Sequence, residues 1–231
     1  MTRRAISLLA LVTALCGACN GRSSQSAQDS TATHEHSTGA ERGLPGVQSY
    51  AHRLDDPSRD AWQKPEEVVA LLDCRSGATV VDLGAGTGYF LPFLSRAVGE
   101  QGRVLGLDID PGAIEWLEGR AEKEGLRNVE ARTVAADDPG LGRRSADRIL
   151  VVNTWHHIDD RETYAKKLLT ALRRGGRLLI VDFTMDAPTG PPVSKRLTVD
   201  TVVGELQAAG FRTEILEETL PYHYVVAGRP R

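Results

Sequence analysis

The stretch Val80-Val81-Asp82-Leu83-Gly84-Ala85-Gly86-Thr87-Gly88-Tyr89-Phe90 carries the sharpest signal in the chain. Its start, together with Thr79, predicts a buried strand over Thr79–Leu83. The strand turns through Gly84–Gly88 into a helix running to about Val98. Glycines at such a turn let a ligand approach the backbone, and the helix start directs N–H groups at it. The spacing is G-x-G-x-G, whereas a dinucleotide loop needs G-x-G-x-x-G; Tyr89 stands where that last glycine belongs. Asp82, two residues before Gly84, sets a carboxylate beside the loop. A carboxylate there repels a diphosphate and attracts a cation.

Working outward, Val104–Asp108 reads as a second strand. Its last residue, Asp108, lies twenty positions after Gly88, where a carboxylate can accept both hydroxyls of a ribose. The pair of acidic positions therefore asks for a ribose and an ammonium or sulfonium. Pro111–Glu124 follows as a helix with proline in its first turn. Further strands are predicted at Val129–Val134, Arg148–Val152 and Arg177–Asp182, the last entered through Gly175-Gly176. Helices are predicted at Asp160–Leu172 and at Thr198–Ala209, the latter closed by Gly210. Arg212–Leu216 and Tyr222–Ala227 complete the set as a terminal hairpin. Strands alternating with helices define an α/β, doubly wound, Rossmann-like sheet of seven strands, mostly parallel with a terminal antiparallel hairpin. Ahead of it, Tyr50–Leu72 reads as a short helical preface, whose Tyr50 and Trp62 either pack on the core or cover the site. The expected domain is 50–231.

These motifs resemble the class I S-adenosylmethionine-dependent methyltransferases from about residue 65 onward. The resemblance rests on the Asp82–Gly88 loop, Asp108-Ile109-Asp110, Val152-Asn153-Thr154-Trp155-His156-His157 and Gly175-Gly176-Arg177. It implies S-adenosyl-L-methionine as cofactor. Gly84, Ala85, Gly86 and Gly88 would line its methionine part, and Asp82 would hold its amino group. Asp108 would bind the ribose and Ile109 would pack on the adenine. Asp137 would read the adenine edge, with Asp138 as the rival position. Asn153 would sit near the transferred methyl. His156 and His157 are the candidate bases for an acceptor that arrives protonated. Adjacent loop side chains diverge, so at most one faces the substrate, and capping or packing beneath the cofactor is the structural alternative. A single core cysteine, Cys74, disfavours the multi-thiol chemistry of arsenite-methylating relatives. The short connection Met185–Leu197 leaves little room for an inserted substrate domain, which points to a small-molecule acceptor. Three functions remain: a methyltransferase, a cofactor-binding module without transfer, and a nicotinamide oxidoreductase, which the glycine spacing and Asp82 disfavour.

Composition bounds the partners. The 231 residues carry 28 Lys+Arg against 31 Asp+Glu, a net charge of −3, so no broad cationic field exists for nucleic acid. Arg143-Arg144 reads as a small solvated basic cluster. Three cysteines exclude a disulfide scaffold, because Cys16 and Cys19 fall in the first twenty residues. There, Arg3-Arg4 precedes the apolar run Ala5–Leu15 and the ending Gly17-Ala18-Cys19. That order describes an export signal over 1–19. Its ending resembles a bacterial lipoprotein signal, which implies lipidation at Cys19, although Cys16 stands where that pattern usually has leucine. The run is too short to span a bilayer. Residues 20–49 are polar and aperiodic and read as a tether, in which His34-Glu35-His36 is solvated and holds no metal. The expected location is the cell envelope, with a cytoplasmic protein as the alternative.

Overall fold

A computed structural model describes the chain at Ser49 and from residue 51 to 231. The export signal, Cys19, the tether with His34-Glu35-His36, and Tyr50 lie outside the described residues.

Seven strands form one sheet in the order β3-β2-β1-β4-β5-β7-β6. They are β1 (Thr79–Leu83), β2 (Arg103–Asp108), β3 (Val129–Thr133), β4 (Ala146–Val152), β5 (Leu172–Phe183), β6 (Phe211–Ile215) and β7 (His223–Pro230). The first five pair in parallel, while β7 runs antiparallel to both β5 and β6. The chain leaves β1 for β2 on one side and later places β4 on the other. Between the carboxyl ends of β1 and β4 the order therefore reverses, and open α/β sheets bind their ligands at such a point.

Period-two alternation sorts the strand side chains onto two faces. Val81, Leu83, Ile149, Val151, Leu178 and Ile180 join one buried layer, against α6 (Arg161–Ala171) and α7 (Val199–Ala208). Val80, Leu150, Val152, Leu179 and Val181 join the other, against α3 (Pro65–Leu72) and α4 (Leu91–Val98). Asp82 shares the second face with Val80, and Asp182 shares the first with Ile180. The same alternation that builds the core thus aims two carboxylates to opposite sides of the sheet.

Helix starts follow their caps. Asp110 accepts from the Gly112 amide ahead of α5 (Pro111–Lys123), Asp160 from Thr163, and Thr198 from Thr201. Each cap satisfies an N–H that the helix itself leaves unpaired, typically worth about 1 kcal/mol. Strand β5 departs from the sequence reading. It begins at Leu172 rather than Arg177, with a register shift against β4 between Ala146 and Arg148. Gly175, at φ 77°, lies inside this irregular first half. A bulged segment lacks the alternation by which a strand is recognised, and this one carries exposed Arg173 and Arg174.

The preface is four short pieces: α1 (Ala51–Leu54), a 3-10 turn at Pro57–Arg59, α2 (Asp60–Gln63) and α3. Lys64 and Asp73, both in the left-handed region, bound α3. Two sheet arginines anchor its end. Buried Arg148 donates from Nε to the Leu72 and Asp73 carbonyls at 2.9 and 2.8 Å, and Arg177 donates to the Leu71 carbonyl. Guanidinium groups thereby satisfy the orphan carbonyls of a helix C-terminus.

Candidate active site

The three loop glycines have different physical reasons. All sit at positive φ, at 72°, 55° and 74° for Gly84, Gly86 and Gly88. A Cβ on Gly84 would lie 2.3 Å from the Thr154 side chain, so the β1 and β4 loops touch there. A Cβ on Gly88 would lie 2.4 Å from Leu117 and 2.6 Å from Leu91, so that glycine lets α4 and α5 pack. A Cβ on Gly86 would meet only Leu54 of the preface, at 3.4 Å. Gly84 and Ala85 tie the loop to β2 by donating to the Leu107 carbonyl at 2.8 and 3.0 Å.

Asp108 closes β2 with its carboxylate turned into the loop. Its Oδ2 accepts from the Gly86 amide at 2.8 Å and its Oδ1 from the Asp110 amide at 3.0 Å. Ile109 beside it is 45% exposed, an apolar surface without a protein partner covering it among the described residues. Past β3, the Asp138 carboxylate is taken up by Lys167 at 3.1 Å and by the Gly140 amide at 2.8 Å. Asp137 contributes only its backbone carbonyl to Lys167. It lines a cavity of about 230 Å³ with Ala136, His157 and Tyr164. Of the two rivals, Asp137 is the one whose carboxylate the protein leaves uncommitted.

The preface supplies what the sequence reading missed. It lies over the glycine loop on the Asp82 face. Asp55 accepts from the Thr87 hydroxyl at 2.7 Å and pairs with Arg120 at 2.8 Å. Tyr89 donates to Asp60. The Arg59 guanidinium stacks 4.0 Å above the Tyr89 ring and is buried with Gln63. Gln63 Oε1 accepts from Arg59 at 3.3 Å and from Asn153 Nδ2 at 3.0 Å. Asn153 follows β4 at φ 54°, a left-handed position that asparagine tolerates.

Four buried polar atoms in this group have no partner among the described residues: Asp82 Oδ2, Asn153 Oδ1, Arg59 Nε and Gln63 Nε2. Leaving such atoms unpaired costs about 1–3 kcal/mol each, a cost that a ligand completing them relieves. Burial pushes the Asp82 carboxyl up to about 7, partly offset by Arg59 and reinforced by Asp108. Burial also draws Arg59 down to about 10, against the attraction of Tyr89 and Asp82. No periodic pattern marks Arg59 or Gln63. Their only signal is an Arg and a Gln spaced i, i+4 in a segment read as a helical preface that either packs on the core or covers the site.

The two histidines part company. On the α6–α7 face, His156 Nδ1 lies 2.8 and 3.0 Å from the two Asp182 oxygens, and both side chains are almost fully buried. Asp182 also accepts from the backbone amides of His156 and Phe183, at 3.3 and 2.9 Å. His156 Nε2 has no hydrogen bond among the described residues. His157 is exposed, its ring 4.2 Å from that of His156. Partial burial and the neighbouring His156 lower its pKa, and Asp182 opposes them. On the other face, Trp62 stacks on His223 at 5.7 Å, beside Phe183 and Tyr222. Burial pushes His223 down to about 4, so it is neutral. Cys74 is half-buried and its thiol is pushed up to about 11 by burial, which makes it a poor nucleophile.

A glycine loop after β1, an acid ending β2 and a reversed β7 define the class I methyltransferase architecture. Residues 80–176 match the protein family described as a methyltransferase domain. It is similar to the aklanonic acid methyltransferase DauC of a Streptomyces species, 33% identical over 116 residues, covering 50% of this chain and 53% of the relative. It is also similar to the ubiquinone/menaquinone biosynthesis C-methyltransferase UbiE of Klebsiella pneumoniae, 31% identical over 162 residues. That alignment covers 66% of this chain and 64% of the relative, so the chain spans less than two thirds of either curated relative. A crystal structure of a SAM-dependent methyltransferase from Aquifex aeolicus superimposes with a TM-score of 0.74 at 29% identity. It covers 78% of this chain and 96% of that one.

The Aquifex aeolicus protein is described as SAM-dependent, and the unpaired atoms here fit the amino-acid end of such a cofactor. Two acceptors, Asp82 Oδ2 and Asn153 Oδ1, suit an ammonium; two donors, Arg59 Nε and Gln63 Nε2, suit a carboxylate. A dinucleotide would bring phosphate anions to the Asp82 carboxylate.

Proposed function

We propose that this protein transfers the methyl group of S-adenosylmethionine to a small-molecule acceptor. The observation that carries the reading is the set of four unpaired polar atoms around Asp82, Arg59, Gln63 and Asn153, matched in sign to an amino acid zwitterion. When bound, S-adenosylmethionine supplies an activated sulfonium methyl, so the protein's own task is to bind, align and exclude water. Asp82 and Asn153 hold the ammonium, and Arg59 and Gln63 the carboxylate. Asp108 accepts the ribose hydroxyls, Ile109 covers the adenine and Asp137 takes its edge. The preface, latched through Asp55 to Thr87 and Arg120, shields the loop from water.

An acceptor that arrives protonated gives its proton to His156 Nε2. Asp182 supports this role by holding Nδ1, which fixes the tautomer with Nε2 as proton acceptor. The printed names of the relatives, acting on aklanonic acid and in ubiquinone/menaquinone biosynthesis, support a small acceptor. The reading of residues 1–19 places the protein in the cell envelope, lipidated at Cys19. Fractionation of cells carrying the Cys19→Ala variant tests this, since a wild-type protein that stays soluble and retains Met1 removes the anchor.

Calorimetry with S-adenosylhomocysteine and with NAD tests the cofactor, and label transfer from methyl-labelled S-adenosylmethionine to a metabolite pool tests the reaction. Binding of the nucleoside with label appearing in a small product is the expected result. Binding of NAD in its place would sink the proposal.

A further inference from the structure

We propose that the sheet edge opposite the glycine loop is a docking surface for an anionic lipid bilayer. The proposal does not rest on methyl transfer. Five arginines from separate segments, Arg143, Arg144, Arg173, Arg174 and Arg231, line one groove of about 510 Å³ whose remaining lining is uncharged. Arg143 and Arg144 precede β4, Arg173 and Arg174 open β5, and Arg231 follows β7. All five are exposed. Only Arg173 has a carboxylate partner among the described residues, Asp147 at 2.5 Å. Next to the groove, Arg212 and Arg229 stand directly opposite each other in the β6–β7 register. Like charges so placed repel, and neither forms a salt bridge among the described residues, although Glu214 of β6 lies in the same cluster.

This concentration is out of proportion to a chain of net charge −3. It marks one edge as strongly cationic, and an anionic counter-surface would relieve the repulsion. A small enclosed anion is a poor match, because none of the five guanidinium groups is buried. A nucleic acid strand is a poor match as well, because the groove lining holds no aromatic ring on which a base could stack. A broad, flat anionic surface meets exposed guanidinium groups spread over several element ends, and phospholipid headgroups provide one.

The orientation of the site fits a bilayer. The parallel strands start at this edge and end at the glycine loop and Asn153, so a docked domain keeps its site turned away from the surface.

The test is co-sedimentation of the full chain with vesicles of phosphatidylcholine alone and with 30% phosphatidylglycerol by design, at low and high salt. The probe is the ratio of binding to the two vesicles, in which the apolar N-terminal segment cancels. Each guanidinium near an anionic surface contributes roughly fivefold. The triple variant Arg143→Ser, Arg174→Ser, Arg231→Ser should therefore lower the ratio about 100-fold, with high salt doing the same to the wild type. An unchanged thermal midpoint and unchanged S-adenosylhomocysteine affinity establish that the variant is folded. An equal ratio in wild type and variant overturns the proposal. So does salt-sensitive binding of a single-stranded oligonucleotide by the wild type without any vesicle preference.

Discussion

Replacing Asp82 with Asn should weaken cofactor binding while stabilising the free protein. Asp82 is fully buried, and its carboxyl is raised from 3.8 to about 7. That displacement corresponds to about 4 kcal/mol of preference for the neutral form in the folded state. The sign follows from linkage. Below pH 3.8 the carboxyl is protonated in both states, and the folded state carries no penalty. As pH rises to about 7 the unfolded chain ionises first, so stability falls, and above 7 the whole penalty is present. Asparagine removes that penalty but also deprives Arg59 of its nearby anion, so a net gain of about 1–3 kcal/mol at pH 8 is expected. Binding responds in the opposite direction. The ligand ammonium loses a charge-assisted hydrogen bond of about 1.5–3 kcal/mol, so S-adenosylhomocysteine should bind roughly 10- to 150-fold more weakly. For the wild type, affinity should rise between pH 6 and 8 as Asp82 becomes the anion that the ammonium needs. Thermal unfolding and calorimetry on the same preparations measure both quantities. A variant that loses stability at pH 8, or that binds within threefold of the wild type, would refute the assignment of Asp82 to the ligand.

The glycine loop offers a paired comparison: Gly88→Ala should cost about 2–4 kcal/mol, because the new Cβ meets Leu117 and Leu91 at positive φ. Gly86→Ala faces only Leu54 at 3.4 Å and should cost about 1–2 kcal/mol, with its larger effect on ligand affinity; equal thermal shifts would contradict the separate roles. Nitrogen-15 NMR of the neutral His156 ring should find the proton on Nδ1 and Nε2 bare, and Asp182→Asn should redistribute the tautomers. A proton fixed on Nε2 in the wild type would remove His156 as a base.

The fold was legible because its signals are local. Strands β1, β2 and β4 are short runs of buried Val, Leu and Ile, and the starts of α5, α6 and α7 carry a capping Asp or Thr. Strand β5 was legible only from Arg177 onward, since its first half is a bulge with exposed arginines. The separation of the two histidines was not legible, because adjacent residues carry no information about which ring a distant Asp182 will hold. Arg143-Arg144 looked like a minor pair for the same reason. The arginines that enlarge it come from β5 and from the chain end beyond β7, and only sheet pairing brings those ends together.

The sequence by itself determined the α/β class and marked the loop and the two acids, Asp82 and Asp108, to which the proposal gives the amino group and the ribose of the cofactor. Spacing along one strand–turn–helix unit is a local property, and local geometry follows from it. Tertiary structure alone decided that Arg59 and Gln63 are buried beside Asp82 and Asn153, and that Asp137 rather than Asp138 keeps a free carboxylate. It also decided which histidine is oriented. Each of these depends on where a residue far along the chain comes to rest. Burial then fixes the energies, because a polar group left without water must find a partner in the protein or in the ligand.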